Sequence, residues 1–350
     1  MFNLLGFSSE PEPAKYNEDE VKAQMSAEVD NDFEDALQED ADEGVRGEFA
    51  VTGEELATLR AAIATDFPED ATYLSDAYIR SVASKPYSKD PKKRRPLEYS
   101  QEKLTHVMQW RKEAGAPEME ELVKLANGDP YAPEATEQPD KLSKAQALVT
   151  SLNTGSVYWH GFTKDGRPVM WIRTNRKPWY PNVDAEVDAL ILFADAGIRS
   201  MPDGVTDFVV VADSGSPPPP NPQFMINTLK ALVRGYPDRL SLLISAPVSS
   251  IVQFVMNLLL PLMPGRLASK VMLMGIDQAK PKLADLLMNG EDDIPTFLNG
   301  KADHDQFYPE EGKCSNRGKG SLKFDYFGMM ERLAQQKADY IQWKAAQAEE

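Results

Sequence analysis

Cysteine and targeting segments are the first things this sequence lacks. Cys314 is the single cysteine among 350 residues, which excludes an internal disulfide framework and favours a reducing compartment. The N-terminus has no basic region ahead of a long apolar run, so it is unlike a secretory signal. We therefore expect a cytoplasmic protein.

The sequence motifs of common enzymes are missing as well. Three histidines (His106, His160 and His304) are far apart and have no second ligand at metal-binding spacing, so no metal site is predicted. No glycine-rich dinucleotide turn or phosphate-binding loop follows a predicted strand, and no G-x-S-x-G elbow is present. We therefore predict no catalytic residue, no cofactor and no enzymatic activity.

Basic residues are fewer than acidic residues, and most of the difference lies in residues 1–50. Residues 1–50 hold 15 acidic and 3 basic side chains, a net charge of −12 out of the total of −17, which leaves −5 for residues 51–350. A nearly neutral folded part argues against nucleic-acid binding. The acidic segment has few aromatic residues, so 1–50 is predicted to be a disordered tail. It either aids solubility or competes with anionic headgroups as an autoinhibitory arm.

The next segment predicts a helical N-terminal domain over residues 51–126. Thr52 and Glu55 have the spacing of a capping box at the start of a helix. Further helices are predicted at 70–83 and 100–113. The chain between those two helices is a basic, proline-punctuated stretch that predicts either a solvated loop or a membrane-docking segment. Its basic residues are Lys89, Lys92, Lys93, Arg94 and Arg95.

A linker rich in proline and glycine is predicted over 127–140, followed by a second domain over 141–305. Val157 to Thr174 predicts two strands around an Asp165-Gly166 turn. Later strands are predicted at 207–212, 240–246 and 270–275, with helices at 142–152, 184–200, 223–235 and 282–288. This alternation predicts an α/β fold, in which a small helical domain packs on a mixed, mainly parallel sheet.

One stretch of the second domain, residues 236–275, is unusually apolar. A short apolar strand is followed by a helix pattern that leaves almost no polar face, as in helices buried on every side. Pro261 and Pro264 make the helix too short to cross a bilayer, which needs ~20 apolar residues. Its second face is predicted to meet either more protein core or a lipid.

Several short motifs in this sequence follow one another in the order known from one protein family. They are QWRKEAG (109–115), KDGRPV (164–169), VVVAD (209–213), YPDRL (236–240), SAP (245–247), a P-x-x-x-x-S-K segment (264–270) and DIP–FLNG (293–300). In this order and spacing the chain resembles the CRAL-TRIO lipid-binding family, across roughly residues 55–303.

The resemblance implies an apolar cavity whose floor is the sheet and whose lid is the helix Pro247–Leu262. It assigns Phe208 and Val210 to the cavity floor, at positions where relatives that bind phosphatidylcholine carry hydroxyl groups. Binding of that lipid in the familiar geometry is therefore not expected. The residues assigned to the lid and cavity are Val248, Ile251, Val252, Phe254, Val255, Met256, Leu258, Leu259 and Leu262.

The resemblance also implies residues that bind a lipid headgroup. Asp238 and Lys270 occupy the positions of an acidic residue and a lysine that contact inositol phosphate in relatives. Asp238 is one methylene shorter than the family's glutamate. Arg80 is what remains of an arginine-rich motif whose second arginine is replaced by Val82. Lysine suits a phosphate as a flexible point charge.

These observations predict a monomeric, non-enzymatic carrier that transfers or presents a phospholipid of the phosphatidylinositol type. The expected partners are the lipid and, transiently, a membrane surface, which implies peripheral membrane association. Two alternatives stay open. One is a carrier of a neutral hydrophobic ligand, such as a tocopherol- or retinoid-like molecule. The other is a trafficking adaptor that uses the acidic tail and a C-terminal helix within residues 306–350, predicted at 329–348.

Overall fold

The structure is a computed structural model that describes residues 17–28, 49–87, 90–129, 137–179, 181–263, 265–308 and 324–349. Most of the predicted acidic tail lies outside these residues, as do Lys89, Cys314 and much of the loop predicted within 306–350. The first described element is a helix, α1 (Glu18–Glu28), within the acidic tail.

The helical N-terminal unit consists of α2 (Gly53–Asp66), α3 (Asp76–Ala83) and α4 (Leu97–Glu113). The predicted capping box of α2 is confirmed: Thr52 Oγ1 accepts from the Glu55 amide at 3.2 Å, and Glu55 Oε2 accepts from the Thr52 amide at 2.8 Å. The three helices share a core of their own, which includes Leu59, Ile63, Leu74, Ile79, Leu104 and Met108.

The basic stretch between α3 and α4 is a β-hairpin, where a loop was predicted. Strands β1 (Pro86–Tyr87) and β2 (Asp90–Arg94) pair antiparallel. Arg94 forms an ion pair with Glu55 of α2, and Arg95 is buried. Packing against the helices therefore orders a segment whose proline and lysine content alone favours a loop.

Two more helices lead into the sheet. The structure adds α5 (Met119–Asn127), which the sequence patterns did not predict, and α6 (Pro139–Leu152) begins three residues earlier than predicted. The predicted linker therefore joins the ends of two helices. Met119, Leu122 and Val123 of α5 are buried in the main core, so α5 closes the helical unit against the second domain.

A five-stranded sheet forms the centre of the second domain, in the order β3-β4-β5-β6-β7. Its strands are β3 (Val157–Phe162), β4 (Pro168–Arg173), β5 (Phe208–Asp213), β6 (Leu240–Ser245) and β7 (Val271–Leu273). Strands β3 and β4 pair antiparallel, and the other neighbouring strands pair parallel. The predicted mixed, mainly parallel sheet is confirmed.

Helices connect the parallel strands, as crossover connections require. They are α7 (Val183–Arg199), α8 (Pro222–Lys230), α9 (Ser250–Leu259) and α10 (Gly265–Ala268), whereas α11 (Ile276–Leu286) follows β7, the last strand. Helix α7 covers one face of the sheet, where Trp159 Nε1 donates to the Phe193 carbonyl at 2.8 Å. The opposite face lies against residues near 297–308, where the Trp171 ring meets His304 with centroids 4.9 Å apart.

The last helix, α12 (Tyr326–Glu349), protects the edge of the sheet at β3. Two backbone amides of β3 donate to side chains of α12: Gly161 to Gln336 Oε1 at 2.9 Å and Trp159 to Met329 Sδ at 3.4 Å. Side chains of α12 thus satisfy groups that an open edge would offer to another strand. The predicted C-terminal helix therefore has a structural role at this edge, and its use as a partner contact stays a prediction.

Candidate functional site

Helix α9 is the apolar helix that the sequence predicts as a lid. Ser249 Oγ caps its first turn by accepting from the Val252 amide at 3.3 Å. A single-turn 3-10 helix, Leu260–Leu262, follows and contains Pro261. The sequence between Arg239 and Arg266 holds no charged residue. We refer to residues 247–262 as the lid. Among the described residues, no helix is both long and apolar enough to cross a membrane.

The lid is half-buried, which contradicts the alternative that protein core surrounds it. Met256 is the one lid residue named above that counts as buried, at 9% exposure. The other predicted lid residues keep intermediate exposure: Val248, Ile251, Val252, Phe254, Val255, Leu258, Leu259 and Leu262. An apolar surface of this extent, free of charge, is typical of a membrane or ligand contact.

The lid is attached mainly to α8. One small cluster, around Ile226, includes Phe254, Leu258, Leu259 and Leu262. A second cluster forms on Leu229 and Val233, again with Leu259 and Leu262. Both clusters are separate from the main core, which is built on the sheet. Small satellite clusters open at lower cost than a main core, so the lid can move while the sheet stays intact.

Asp238 and Lys270, which were predicted as headgroup residues, lie near the C-terminal end of the lid, because their cavity is also lined by Val233 and Leu267, which cluster with Leu259 and Leu262. They line the same cavity of about 20 Å³ together with Tyr236, Leu240 and Leu267. Lys270 Nζ donates to the Leu240 carbonyl at 2.5 Å. A cavity of this volume holds about one water molecule and no acyl chain. A lipid therefore enters only if the lid and the turn before β6 move.

The backbone explains why residue 238 is aspartate. Asp238 has φ of +59°, in the left-handed region, where aspartate and asparagine are several-fold enriched over longer side chains. The turn is held from the helical unit, because the Tyr78 hydroxyl donates to the Pro237 carbonyl at 2.9 Å. The shorter aspartate side chain thus fits the left-handed turn, and the bond to Tyr78 holds this turn beside α3.

Lys85 is a functional candidate that the sequence reasoning missed. It forms an ion pair with Asp238, and both side chains are largely buried. Lys85 and Asp238 also line a second small cavity with Arg95 and Lys103, which adds positive charge around the carboxylate. The signal available in the sequence was the position of Lys85 shortly after Arg80, the remaining residue of the arginine-rich motif.

Arg80 does not join this group in the structure. Its Nη1 donates to the Val51 carbonyl at 2.8 Å, and the side chain is exposed. Phe208 and Val210 are both buried, on the face of the sheet that α7 covers. The Phe208 ring meets the Trp159 ring edge to face with centroids 5.4 Å apart. Their role as a cavity floor stays a prediction.

A buried polar network fixes Tyr236, which borders the cavity of Asp238 and Lys270. The Tyr236 hydroxyl donates to Asp195 Oδ1 at 2.9 Å, and Tyr73 donates to the same oxygen at 3.2 Å. Arg111 forms an ion pair with Asp195. Burial raises the pKa of the Asp195 carboxyl, and the Arg111 guanidinium opposes that rise. The network joins the helical unit to α7 and to the turn before β6.

Gly235 lies directly before Tyr236 and permits a close approach of the two units. A Cβ atom added there would lie 2.1 Å from Cζ3 of Trp110 in α4. Only glycine fits that spacing. The indole of Trp110 also meets the Tyr236 ring edge to face, with centroids 5.6 Å apart. Gly235 and Tyr236 therefore both pack the turn against Trp110 of the helical unit.

A larger groove, of about 690 Å³, lies between α6, α7 and α8, away from the lid. Charged side chains of both signs line it: Asp140, Lys144, Asp184, Asp188, Lys230 and Arg234. Lys144 Nζ lies 3.3 Å from Asp188 Oδ2. Burial raises the pKa of the Asp188 carboxyl, and Lys144 opposes that rise. Such a lining does not suit an acyl chain.

The fold and the site together define an α/β domain in which a charge-free helix follows a parallel strand and ends near the cavity lined by Asp238 and Lys270. Residues 152–300 match the sequence model of the CRAL/TRIO domain. Domains of this family bind lipids or other small hydrophobic ligands and are in general carriers rather than enzymes.

No curated protein sequence matches the chain. Among solved structures, the crystal structure of Sfh5 is similar with a TM-score of 0.40 and 12% sequence identity, covering 83% of this chain and 93% of that chain.

Proposed function

We propose that the protein binds a phospholipid of the phosphatidylinositol type and transfers it between membranes or presents it there. One observation carries the proposal: Asp238 and Lys270 share one cavity at the end of a charge-free, half-exposed lid. In this account the lid residues hold the acyl chains, Lys270 binds the phosphate, and Asp238 accepts hydrogen bonds from inositol hydroxyls.

The lid also supplies the membrane contact in this account. Burial of an apolar side chain in the bilayer interface is favourable by about 25 cal/mol per Å², and the lid has no charge to oppose it. Membrane contact therefore stabilises an open lid. Lys92 and Lys93 are the two members of the basic stretch that are exposed in the described structure, and they add attraction to anionic headgroups.

A second candidate function is transport of a neutral hydrophobic ligand. One observation favours it: both headgroup residues already have partners within the protein, Asp238 with Lys85 and Lys270 with the Leu240 carbonyl. If those partners are permanent, the polar cluster has a structural role only. The lid would then cover a ligand that lacks a phosphate.

Lipid transfer between vesicles by a Lys270→Ala variant separates the two candidates. Loss of a hydrogen bond to a charged group costs about 1.5–3 kcal/mol, so phosphatidylinositol transfer should fall about tenfold or more. Transfer of a neutral retinoid- or tocopherol-like probe should not change. Lys282→Ala, at an exposed position of α11, is the matched control. Equal transfer of phosphatidylinositol by wild type and Lys270→Ala would exclude the headgroup role.

A further inference from the structure

Helix α1, from the acidic N-terminal segment, lies beside the lid. Val21 of α1 is buried to 6% exposure and packs on Ile226 of α8. The same apolar cluster includes Phe254 and Leu258 of the lid. Helix α1 and the lid therefore share one binding surface on α8, and a movement of the lid disturbs the seat of α1.

Helix α1 is acidic, whereas the lid carries no charge. Its eleven residues include four acidic side chains and one basic side chain, Lys22, a net charge of −3. Asp19 and Glu20 are exposed. Cytoplasmic membrane leaflets carry negative surface potential, so an anionic helix next to the lid repels the surface that the lid would contact.

The packing of α1 on α8 is weak. Among the α1 side chains that the structure describes, Val21 is the one that is buried. A helix of eleven residues is marginal in water without tertiary contacts. Loss of the Val21 contact therefore releases the whole helix, which places α1 at the low-stability end of the molecule.

We propose that α1 is an autoinhibitory cover. Seated on α8, it holds the lid closed and keeps negative charge beside the membrane-facing surface. Docking on a membrane requires its release. The inference rests on the proposed function, because the lid must contact a membrane for the cover to matter.

Two single substitutions in α1 test the cover with matched charge. Val21→Asp adds one negative charge and destroys the apolar seat, whereas Ala23→Asp adds the same charge at an exposed position. Binding is measured by flotation with vesicles of phosphatidylcholine alone and with added phosphatidylserine. Val21→Asp should bind neutral vesicles about tenfold more tightly than wild type, since burying one valine is favourable by at least that factor. Ala23→Asp should bind neutral vesicles like wild type.

Two further variants make each outcome decisive. Deletion of residues 1–28 removes both the seat and the charge, so its gain should be larger on vesicles that contain phosphatidylserine. Ile251→Asp places a charge on the lid at a residue outside the α1 cluster and should lose binding. If neither Val21→Asp nor the deletion gains binding while Ile251→Asp loses it, the cover is wrong and the proposed function stands. If Ile251→Asp binds like wild type, the membrane role of the lid is wrong and the cover fails with it.

Discussion

Lys85 of the helical unit and Asp238 of the turn before β6 form an ion pair in which both side chains are largely buried. The two residues are far apart in sequence, and the pair joins the N-terminal helices to the domain that carries the lid. Asp238 also borders the cavity of Lys270. The pair therefore ties the packing of the two units to the candidate headgroup site.

Breaking this ion pair from one side should destabilise the protein more than removing both charges. Lys85→Met leaves a largely buried carboxylate without its lysine, whereas Lys85→Met with Asp238→Asn removes both charges of the pair. Asparagine keeps the left-handed backbone of residue 238 accessible. We expect a coupling free energy of about 1–3 kcal/mol in a double-mutant cycle measured by urea unfolding. Additive effects of the two substitutions would contradict the pair.

A charge on the lid should weaken membrane binding without unfolding the protein. Ile251 lies in the first turn of α9, where an acidic side chain is compatible with the helix dipole. Ile251→Asp should lower vesicle binding about tenfold or more, since burial of an isoleucine contributes about 1.5–3 kcal/mol. Ala334→Asp, at an exposed position of α12, is the control. Equal loss in both variants would indicate a general charge effect and no lid contact.

A methyl group at residue 235 should destabilise the junction between the two units. Gly235→Ala places a Cβ atom against the Trp110 ring, and overpacking of this kind costs about 1–3 kcal/mol. The control is Gly265→Ala, because a Cβ atom there meets no atom within 4 Å. The free energy of unfolding should fall for Gly235→Ala and change little for Gly265→Ala. No difference between the two would exclude the close packing.

Two histidines, His304 buried and His160 partly buried, should make stability fall as the pH falls. Burial lowers the pKa of His160 to about 4 and of His304 to about 2, from an ordinary value of 6.5. Below pH 6.5 the unfolded chain takes up protons that the folded protein does not, so the free energy of unfolding decreases from about pH 6.5 towards pH 4, and further for His304. The stability that the two neutral histidines contribute is fully present above pH 6.5.

Urea unfolding between pH 4.5 and 7 measures this dependence. His304→Gln should flatten the decrease, because one proton-linked difference between the folded and unfolded states is removed. His106→Gln, at an exposed position, should keep the slope of the wild type. Identical slopes for all three proteins would contradict neutral, buried histidines.

Much of the fold is predictable from local patterns in the sequence. Strand β6, the hairpin β3–β4 and the capping box at Thr52 and Glu55 were predicted because apolar runs, a turn motif and cap spacing act over a few residues. The hairpin β1–β2 was predicted as a loop, since it is ordered by the contact of Arg94 with α2, a helix far away in the chain.

Helix α1 and Lys85 also depend on contacts between residues far apart in the chain, which local sequence patterns do not predict. Composition alone predicts disorder for the acidic segment, and only the packing of Val21 on α8 accounts for a helix there. Lys85 reads as one lysine of a basic stretch until the fold brings it to Asp238. By contrast, Asp238 and Lys270 were predicted as headgroup residues through the family resemblance; they line one cavity, and their headgroup role stays a prediction.

If the protein carries a lipid, as we propose, the lipid should co-purify with it, and the identity of the bound molecule tests this. Protein purified without detergent is extracted with organic solvent, and the extract is analysed by mass spectrometry against an Ile251→Asp variant prepared in the same way. We expect a stoichiometric amphiphile in the wild-type extract, with phosphatidylinositol enriched over its cellular share. A wild-type extract with no lipid above that of an unrelated protein, together with no transfer between vesicles, would contradict it.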